Sequence, residues 1–418
     1  MRRLKQMKRW EINLYIVWFS QVLSLMSFNF GMPFLPFYIQ QLGITSANSV
    51  KFYSGILNAA PAITMAIMSP IWGIVSDKYG RKLMLIRAML FASFTIGAMG
   101  IITNVNQLII LRLLQGVFTG TVTAAQILIA ANTPKDRISY ALGFLSSSTF
   151  IGQCIGPVIG GVIAECVGYR VSFAIGGILM FLDFLLVLFL VKEEKSTDIK
   201  DTQVQTKNKD TSIISVFTTA TVSMLFIILF IRIGRSIFSP YIPIFVQEVR
   251  TIASGAAGIT GVINGVLALM TAMAGLTLSR LGDKYDKMKL LIIYLTLGAV
   301  ISVPLIWISK LWLFTFVLGI VFFITGGVEP IIMSITTEDT PVDKRGVLFG
   351  VQGTVGSIGF AAAPLLGGVI SIKYSTRAIL ICIPLFLVIS ALVVLGVIIH
   401  RIKQNTNLKL DLRSIFKL

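Results

Sequence analysis

Charged side chains are scarce in this chain, and that scarcity excludes most classes of protein at once. They make up 13% of the 418 residues, whereas 55% of the residues are hydrophobic, and the mean hydropathy is +0.86. A soluble domain has too much water-facing surface for such a mixture, so the soluble classes are excluded. The composition indicates a protein that crosses a membrane many times.

Cysteine and histidine are scarce as well. The three cysteines, Cys154, Cys166 and Cys382, lie in apolar segments or at their ends, so they indicate neither a disulfide framework nor a metal site. The single histidine, His400, flanks the last apolar segment. Because no cluster pairs a nucleophile with a base or gathers metal ligands, we expect neither an enzyme nor a bound cofactor or metal.

Long apolar runs, in contrast, are abundant. Runs of about 20 residues or more, each sufficient to span a bilayer as a helix, alternate with short charged or glycine- and asparagine-containing loops. They predict an all-α membrane protein of twelve transmembrane helices, numbered here in chain order, over residues 12–41, 50–75, 82–103, 106–131, 138–165, 172–191, 213–248, 254–280, 289–308, 311–337, 345–371 and 376–399.

Basic residues are distributed unequally between the predicted loops. The 36 lysines and arginines outnumber the 18 acidic residues, and the net charge is +18. With both termini on one side of the membrane, that side holds 27 basic residues and the other side holds six. Positive charge collects on the cytoplasmic side of membrane proteins, so both termini are expected in the cytoplasm. Topology and attraction to anionic lipid explain the basicity, and no nucleic acid partner is implied.

The second half of the sequence repeats the first at an offset of 206–207 residues. The repeat is clear in "PFLPFYIQQL" and "PYIPIFVQEV", which begin at Pro33 and Pro240. It predicts two pseudo-symmetric six-helix bundles, residues 1–191 and 213–418, joined by a polar cytoplasmic linker over residues 192–212. Parallel repeats of this kind are expected where two rigid bundles rock around a central cavity.

The loop between helices 2 and 3 combines small, acidic and basic residues. These are Gly73, Asp77, Gly80 and Arg81. Asp77 is expected to cap the free amide groups at the start of helix 3, and Gly80 permits a tight turn. A capped and positively flanked loop would explain these residues by itself. The corresponding stretch of the second half contains Asp283 but has Asp286 in place of Gly80.

Helix 4 contains an arginine inside its apolar span. Arg112, Gln115 and Gly116 share one face of the helix in "LRLLQGVFTG". A guanidinium there costs roughly 2.5–3.5 kcal/mol unless it is paired or hydrated. Either a role in the transport pathway or a structural bond to a backbone carbonyl or a lipid headgroup would explain it. The equivalent second-half residue is Gly319, so the repeat does not impose this arginine.

Helix 5 carries glycines and a proline, which helices tolerate poorly. Gly152, Gly156 and Gly160 recur every four residues and form a smooth stripe that Gly161 extends. A neighbouring helix can approach such a stripe closely, and Pro157 is expected to kink the helix. Dense packing alone would also account for the pattern.

Four further charged residues lie inside predicted spans. Glu329 in helix 10 and Asp183 in helix 6 are candidates for exchanging a proton in each transport cycle, because a carboxylate is costly in hydrocarbon. Arg232 and Arg235 lie one turn apart on one face of helix 7. The two arginines either hold an anionic substrate or pair with Glu329, which would then have a structural role.

Together these features resemble the major facilitator superfamily, and in particular its branch of twelve-helix drug:proton antiporters. The loop after helix 2 resembles the signature loop of the superfamily, and R-x-x-Q-G in helix 4 resembles its proton-handling motif. The G-x-x-x-G-P-x-x-G-G of helix 5 looks like the antiporter motif at every fixed position. The resemblance covers the whole chain.

The resemblance implies a role for each group of residues. The loop residues with Asp283 would form a cytoplasmic latch between the halves, and the helix 5 motif would lie at their interface. Arg112 would take part in proton coupling with Glu329 and Asp183. Because helices 1, 4, 7 and 10 line the cavity in this superfamily, the implied substrate cavity comprises Gln21, Asn29, Gln115, Arg232, Arg235 and Glu329. Gln21 and Asn29 lie in helix 1, where many drug exporters have an acid.

The sequence therefore predicts a multi-pass transporter of a bacterial plasma membrane. It would export hydrophobic or amphipathic drugs, antibiotics among them, in exchange for protons and by alternating access. The alternative is a proton-coupled symporter or facilitator that imports a small nutrient or organic anion. The expected partners are small hydrophobic substrates, protons and the lipid bilayer, and a monomer suffices for the mechanism.

Overall fold

The computed structural model describes residues 8–118, 120–134, 137–192, 219–250, 255–282, 284–338, 340 and 345–405. Every regular element in these ranges is a helix, and twelve helices are long and apolar enough to cross a membrane. This confirms the predicted fold class. The twelve helices span Arg9–Gln41, Ala47–Tyr79, Arg81–Met99, Val105–Asn132, Ile138–Cys166, Tyr169–Leu190, 219–250, Ala256–Leu281, Lys287–Ile306, Leu311–Glu338, Arg345–Lys373 and Ile379–Asn405.

Helix 2 extends about one turn beyond its predicted span at each end. It runs from Ala47 to Tyr79, so Asp77 lies in its last turn and not at the start of helix 3, where a cap was expected. Gly80 ends the helix with a φ of +100°, a conformation that favours glycine, and Arg81 begins helix 3 directly. Residues 76–79 therefore continue helix 2, and Gly80 alone makes the turn to helix 3.

Helices 1 and 7 bend where their prolines predict a bend. Each consists of two α-helical segments joined by a 3-10 turn that contains a proline. These turns are Met32–Phe34 in helix 1 and Ser239–Tyr241 in helix 7. Proline cannot donate the amide hydrogen bond of an α-helix, so the regular pattern is interrupted at these points.

Helices 4 and 10 are also interrupted, although hydropathy predicts one continuous span for each. Helix 4 breaks at Gly120, whose φ is +123°, and helix 10 breaks at Gly327, between Gly326 and Val328. The two breaks are related by the repeat offset of 207 residues. Interrupted helices at equivalent positions of two repeats mark the binding region in many transporters, because the unwound backbone borders a cavity.

The two halves, helices 1–6 and helices 7–12, meet through two equivalent helix pairs. Helix 5 packs against helix 8, and helix 2 packs against helix 11. In the first pair Gly261 lies against the carbonyl of Pro157, and in the second pair an ideal Cβ on Gly55 would be 2.9 Å from the carbonyl of Pro364. A side chain at either glycine would collide with backbone, so both interfaces depend on direct contact between backbones.

Polar contacts join the halves at the end of the bundle that is predicted to face outside. Gln40 donates to Gln247 over 3.0 Å, and these two residues are repeat equivalents, so their bond lies on the pseudo-symmetry axis. Lys51 forms an ion pair with Glu248 at 3.4 Å and also donates to the carbonyl of Ser371 at 3.5 Å. The structure therefore represents a state that is closed at this end of the bundle.

Candidate functional site

A cavity of about 330 Å³ lies between the halves. Helices 2, 7 and 11 line it with residues that include Asn58, Met65, Ser236, Ser239, Phe360 and Pro364. Apolar walls with a few hydrogen-bonding groups are typical of sites for small amphipathic molecules. Helices 2 and 11 were not predicted as cavity walls. For helix 11 the sequence contains one signal, since Gly359, Pro364, Gly367 and Gly368 repeat the glycine and proline pattern of helix 5.

Glu329 and Arg232 form an ion pair beside this cavity. The guanidinium of Arg232 donates from Nη2 to Oε1 of Glu329, and the two side chains are 25% and 26% exposed. The same guanidinium lies over the ring of Phe360, 4.8 Å from its centre, and Phe360 lines the cavity. Gly356 makes room for the arginine, since an ideal Cβ there would be 3.1 Å from its Cζ. Glu329 is placed at the start of the second segment of helix 10, directly after the break at Gly327.

Arg235 lies one turn further along helix 7 and is held by neutral groups. Its Nη2 donates to the hydroxyl of Thr271 in helix 8 over 2.8 Å. Its Cζ lies 5.0 Å from the centre of the Phe322 ring in helix 10. Two arginines and one acid therefore lie together beside the cavity, and none of the three is among the residues that line it.

Arg112 has a structural explanation. Pro61 in helix 2 has no amide hydrogen, so the carbonyl of Leu57, four residues earlier, lacks its helical donor. Nε of Arg112 donates to that carbonyl over 2.7 Å, and Nη1 is held by Oε1 of Gln115 at 2.5 Å. Gly116 permits the approach, because an ideal Cβ there would be 2.6 Å from Cα of Pro61. The helix 4 motif thus compensates a proline in the adjacent helix.

Asp183 is fully buried between helices 6 and 1. Its Oδ2 accepts a hydrogen bond from Ser24 over 2.7 Å. Its Oδ1 is buried without a hydrogen-bond partner, and it forms no ion pair with any residue that the structure describes. The structure therefore does not bring Asp183 together with Arg112 or Glu329.

The polar residues predicted for the cavity in helices 1 and 4 do not line the cavity described above. Gln21 is 2% exposed, and its amide atoms have no partner within the described ranges. Asn29 donates to the carbonyl of Leu25 in its own helix over 2.7 Å. Gln115 is 3% exposed and holds Arg112. A polar side chain in an apolar span suggests a functional group, but here hydrogen bonds to nearby residues account for Asn29 and Gln115.

The glycine motif of helix 5 faces two partners. Gly152, Gly156 and Gly160 pack against helix 1 of the same half. An ideal Cβ would be 2.7 Å from Leu25 Cβ at Gly152 and 2.8 Å from Asn29 Cβ at Gly156. Pro157 and Gly161 face helix 8 of the other half instead, and a Cβ on Gly161 would be 2.8 Å from the carbonyl of Ala257. The motif residues that contact the other half are therefore the proline and the last glycine, whereas the regular stripe joins helices within one half.

The latch residues are only partly described. Gly80 makes the turn before Arg81, as given above. Gly73 and Asp77 lie within helix 2, but the structure does not describe their side-chain environment. Asp283 lies outside the described residues. In the second half Asp286 caps helix 9 by accepting a hydrogen bond from the amide of Lys289 over 2.9 Å.

The family of this chain is known from its match to a family model. The family model of the Major Facilitator Superfamily matches residues 17–364 and 224–417. The chain belongs to the major facilitator superfamily. It is therefore a multi-pass transporter of the plasma membrane and not an enzyme.

Two relatives are similar over most of their length. A multi-drug resistance efflux pump PmrA homolog of Lactococcus lactis subsp. lactis (strain IL1403) is 32% identical over 91% of this chain and 93% of its own. A multidrug resistance protein MdtG of Proteus mirabilis (strain HI4320) is 32% identical over 88% of this chain and 92% of its own.

Solved structures share the fold at low sequence identity. A bacterial homolog of the human lysosomal transporter Spinster, in an inward-facing and occupied conformation, has a TM-score of 0.76 at 14% identity. The alignment covers 91% of this chain and 95% of that one. The human organic anion transporter MFSD10 (TETRAN) has a TM-score of 0.68 at 13% identity, with 93% and 100% of the chains covered.

Proposed function

We propose that this transporter exports hydrophobic and amphipathic drugs in exchange for protons, by alternating access to the cavity between helices 2, 7 and 11. The observation that carries the proposal is the ion pair of Arg232 with Glu329, because its guanidinium lies over Phe360 and Phe360 lines that cavity. The relatives that are named as multidrug efflux pumps support the export of drugs.

Phe360 connects the ion pair to the substrate. Its ring lines the cavity and lies under the guanidinium of Arg232. While Glu329 is ionised, the pair is neutral overall, and the apolar wall favours an apolar substrate. When Glu329 takes up a proton, Arg232 loses its counter-ion and attracts water to the wall, which weakens the contact with the substrate. Substrate and proton then oppose each other's binding, as antiport requires.

The conformational change is a rocking of two rigid bundles, residues 1–191 and 213–418. In the state closed to the outside they touch through the glycine and proline contacts of the helix pairs 5–8 and 2–11. Opening to the outside separates these contacts, and the latch of Gly73, Asp77, Gly80 and Arg81 with Asp283 would hold the cytoplasmic ends together.

Asp183 is the weaker candidate for the proton site. It is sealed between helices 1 and 6, and no described charge of the cavity wall contacts it. Asp183 has no described ion pair that protonation would break, so proton uptake by Asp183 would not alter the cavity wall. We therefore assign the coupled proton to Glu329.

The test is the release of protons by the purified protein in weakly buffered detergent when a hydrophobic drug binds. The wild-type protein should release protons, and the Glu329→Gln variant should bind the drug without releasing any. Glu338→Gln is the matched control, because Glu338 lies in the same helix segment and pairs with Lys287 at its exposed end. Proton uptake on binding would instead favour the symporter, and release that survives in Glu329→Gln but not in Asp183→Asn would transfer the role to Asp183.

A further inference from the structure

The charges beside the cavity do not cancel. Arg232 and Arg235 lie next to one acid, Glu329, and the partners of Arg235 are a hydroxyl and an aromatic ring. Helix 9 presents Tyr294 to this region, whose hydroxyl donates to the carbonyl of Leu278. The parts of helices 8 and 11 that contact the two arginines present glycine, threonine and phenylalanine. The cluster therefore carries one excess positive charge when Glu329 is ionised and two when it is protonated.

The cavity lies within reach of this excess charge. Phe360 lines the cavity and lies under the guanidinium of Arg232. Arg235 lies one turn from Arg232 on helix 7 and does not itself line the cavity. The remaining lining residues are neutral, so no described lining group offsets the field. In a medium with an effective dielectric constant of about 20, one unpaired charge that lies about 8 Å from a monovalent ion changes the affinity for that ion by roughly 30-fold.

We infer that Arg235 selects substrates by charge: uncharged amphiphiles are exchanged for protons, lipophilic cations are excluded, and organic anions bind without being exchanged. The inference rests on the proposed antiport and names the substrate class of the same cavity. Exclusion of cations follows directly from repulsion by the excess charge. Binding of anions follows from the same charge with the opposite sign.

Anions are not exchanged for protons because binding of an anion is linked to protonation of Glu329. An anion in the cavity is repelled by ionised Glu329 and attracted more strongly once Glu329 is protonated. Because coupling between two ligands is reciprocal, the anion and the proton favour each other's binding. An antiporter must release one ligand when it takes up the other, so an anion blocks the cycle. An uncharged amphiphile is not attracted by the protonated state in this way. Protonation of Glu329 hydrates the cavity wall and weakens binding of the uncharged amphiphile, so the two ligands oppose each other.

The test uses one fluorescent aromatic scaffold in three forms, which carry a trimethylammonium, a hydroxymethyl or a sulfonate group. Binding to the purified protein is measured by anisotropy, and proton release is recorded for each form. We expect the hydroxymethyl form to bind and release protons, and the trimethylammonium form to bind about 30-fold more weakly. The sulfonate form should bind without proton release.

Variants of Arg235 separate its charge from its shape. Arg235→Gln should strengthen binding of the trimethylammonium form by about 30-fold and weaken that of the sulfonate form by a similar factor. Arg235→Lys should keep the wild-type order of affinities. Lys373→Gln, which removes one exposed charge at the outer end of helix 11, should leave all three affinities unchanged.

Two results would overturn the inference. One is equal binding and equal proton release for the cation and the uncharged form with the wild-type protein, which requires no variant to fold. The other is an unchanged order of affinities in Arg235→Gln. If the predicted affinities hold but no form releases protons, the antiport proposal fails while the charge selection stands.

Discussion

Gly161 offers the sharpest perturbation of the closed interface between helices 5 and 8. An ideal Cβ at this glycine would be 2.8 Å from the carbonyl oxygen of Ala257 and 3.3 Å from Cα of Gly258, both backbone atoms of the other half. A backbone atom cannot move aside as the end of a flexible side chain does. Gly161→Val should therefore push helices 5 and 8 apart where the structure holds them in contact.

The magnitude follows from overpacking, which costs about 1–3 kcal/mol when added methyl groups have no space. The penalty applies only while helices 5 and 8 touch, so it shifts the equilibrium toward the state open to the outside by about 5- to 150-fold. Gly143→Val is the matched control in the same helix, because a Cβ at Gly143 meets no atom of another described element within 4 Å. Both variants replace a helical glycine by valine, so their backbone effects are alike.

Pulsed electron paramagnetic resonance can measure the shift directly. Spin labels at Thr45 and Tyr374, which are exposed at the outer ends of the two halves, would report the width of the outer rim in a background without the native cysteines. We expect Gly161→Val to add a population at longer distance and Gly143→Val to match the unsubstituted background. An unaltered distance distribution in a folded Gly161→Val protein would refute the rocking of helix 5 against helix 8.

Three further predictions concern the other contacts. Arg112→Leu should lower the thermal stability, because the carbonyl of Leu57 loses its hydrogen bond at a cost of about 1–3 kcal/mol. The loss should be smaller in a Pro61→Ala background, because the amide of the alanine can donate to that carbonyl. Equal losses in both backgrounds would contradict the pairing of Arg112 with the proline. Lys51→Met should open the outer rim less than Gly161→Val does, because partly exposed ion pairs contribute about 0.2–1 kcal/mol, and the same spin labels would detect the difference. Asp183→Asn should leave drug-induced proton release intact, because the described contacts of Asp183 do not reach the cavity wall, so loss of release in a folded variant would contradict the assignment of the coupled proton to Glu329.

Much of the fold was predictable because hydropathy and proline act locally. The twelve spans and the bends at Pro33 and Pro240 follow from the residues within each helix. The breaks at Gly120 and Gly327 were not predictable, since a glycine inside an apolar run is compatible with a continuous helix. Whether such a glycine unwinds depends on its neighbours in other helices.

The candidate site was predictable in its residues but only partly in their partners. The pairing of Arg232 with Glu329 was one of two sequence-based interpretations, and the structure contains that pair. For Arg112 the sequence allowed a bond to a backbone carbonyl, but the particular carbonyl depends on Pro61 in a different helix. The cavity itself is formed by residues from both halves, and no local pattern indicates which of them converge.

The measurement that tests the central claim most directly is the internal pH of inverted, respiring membrane vesicles during the addition of an uncharged amphiphilic drug. Respiration acidifies the vesicle interior, and exchange of drug for protons should raise the internal pH in vesicles that contain the protein. Vesicles with the Glu329→Gln variant, or without the protein, should show no rise. Drug entry into the vesicles with no change of internal pH, or with further acidification, would contradict proton-coupled export.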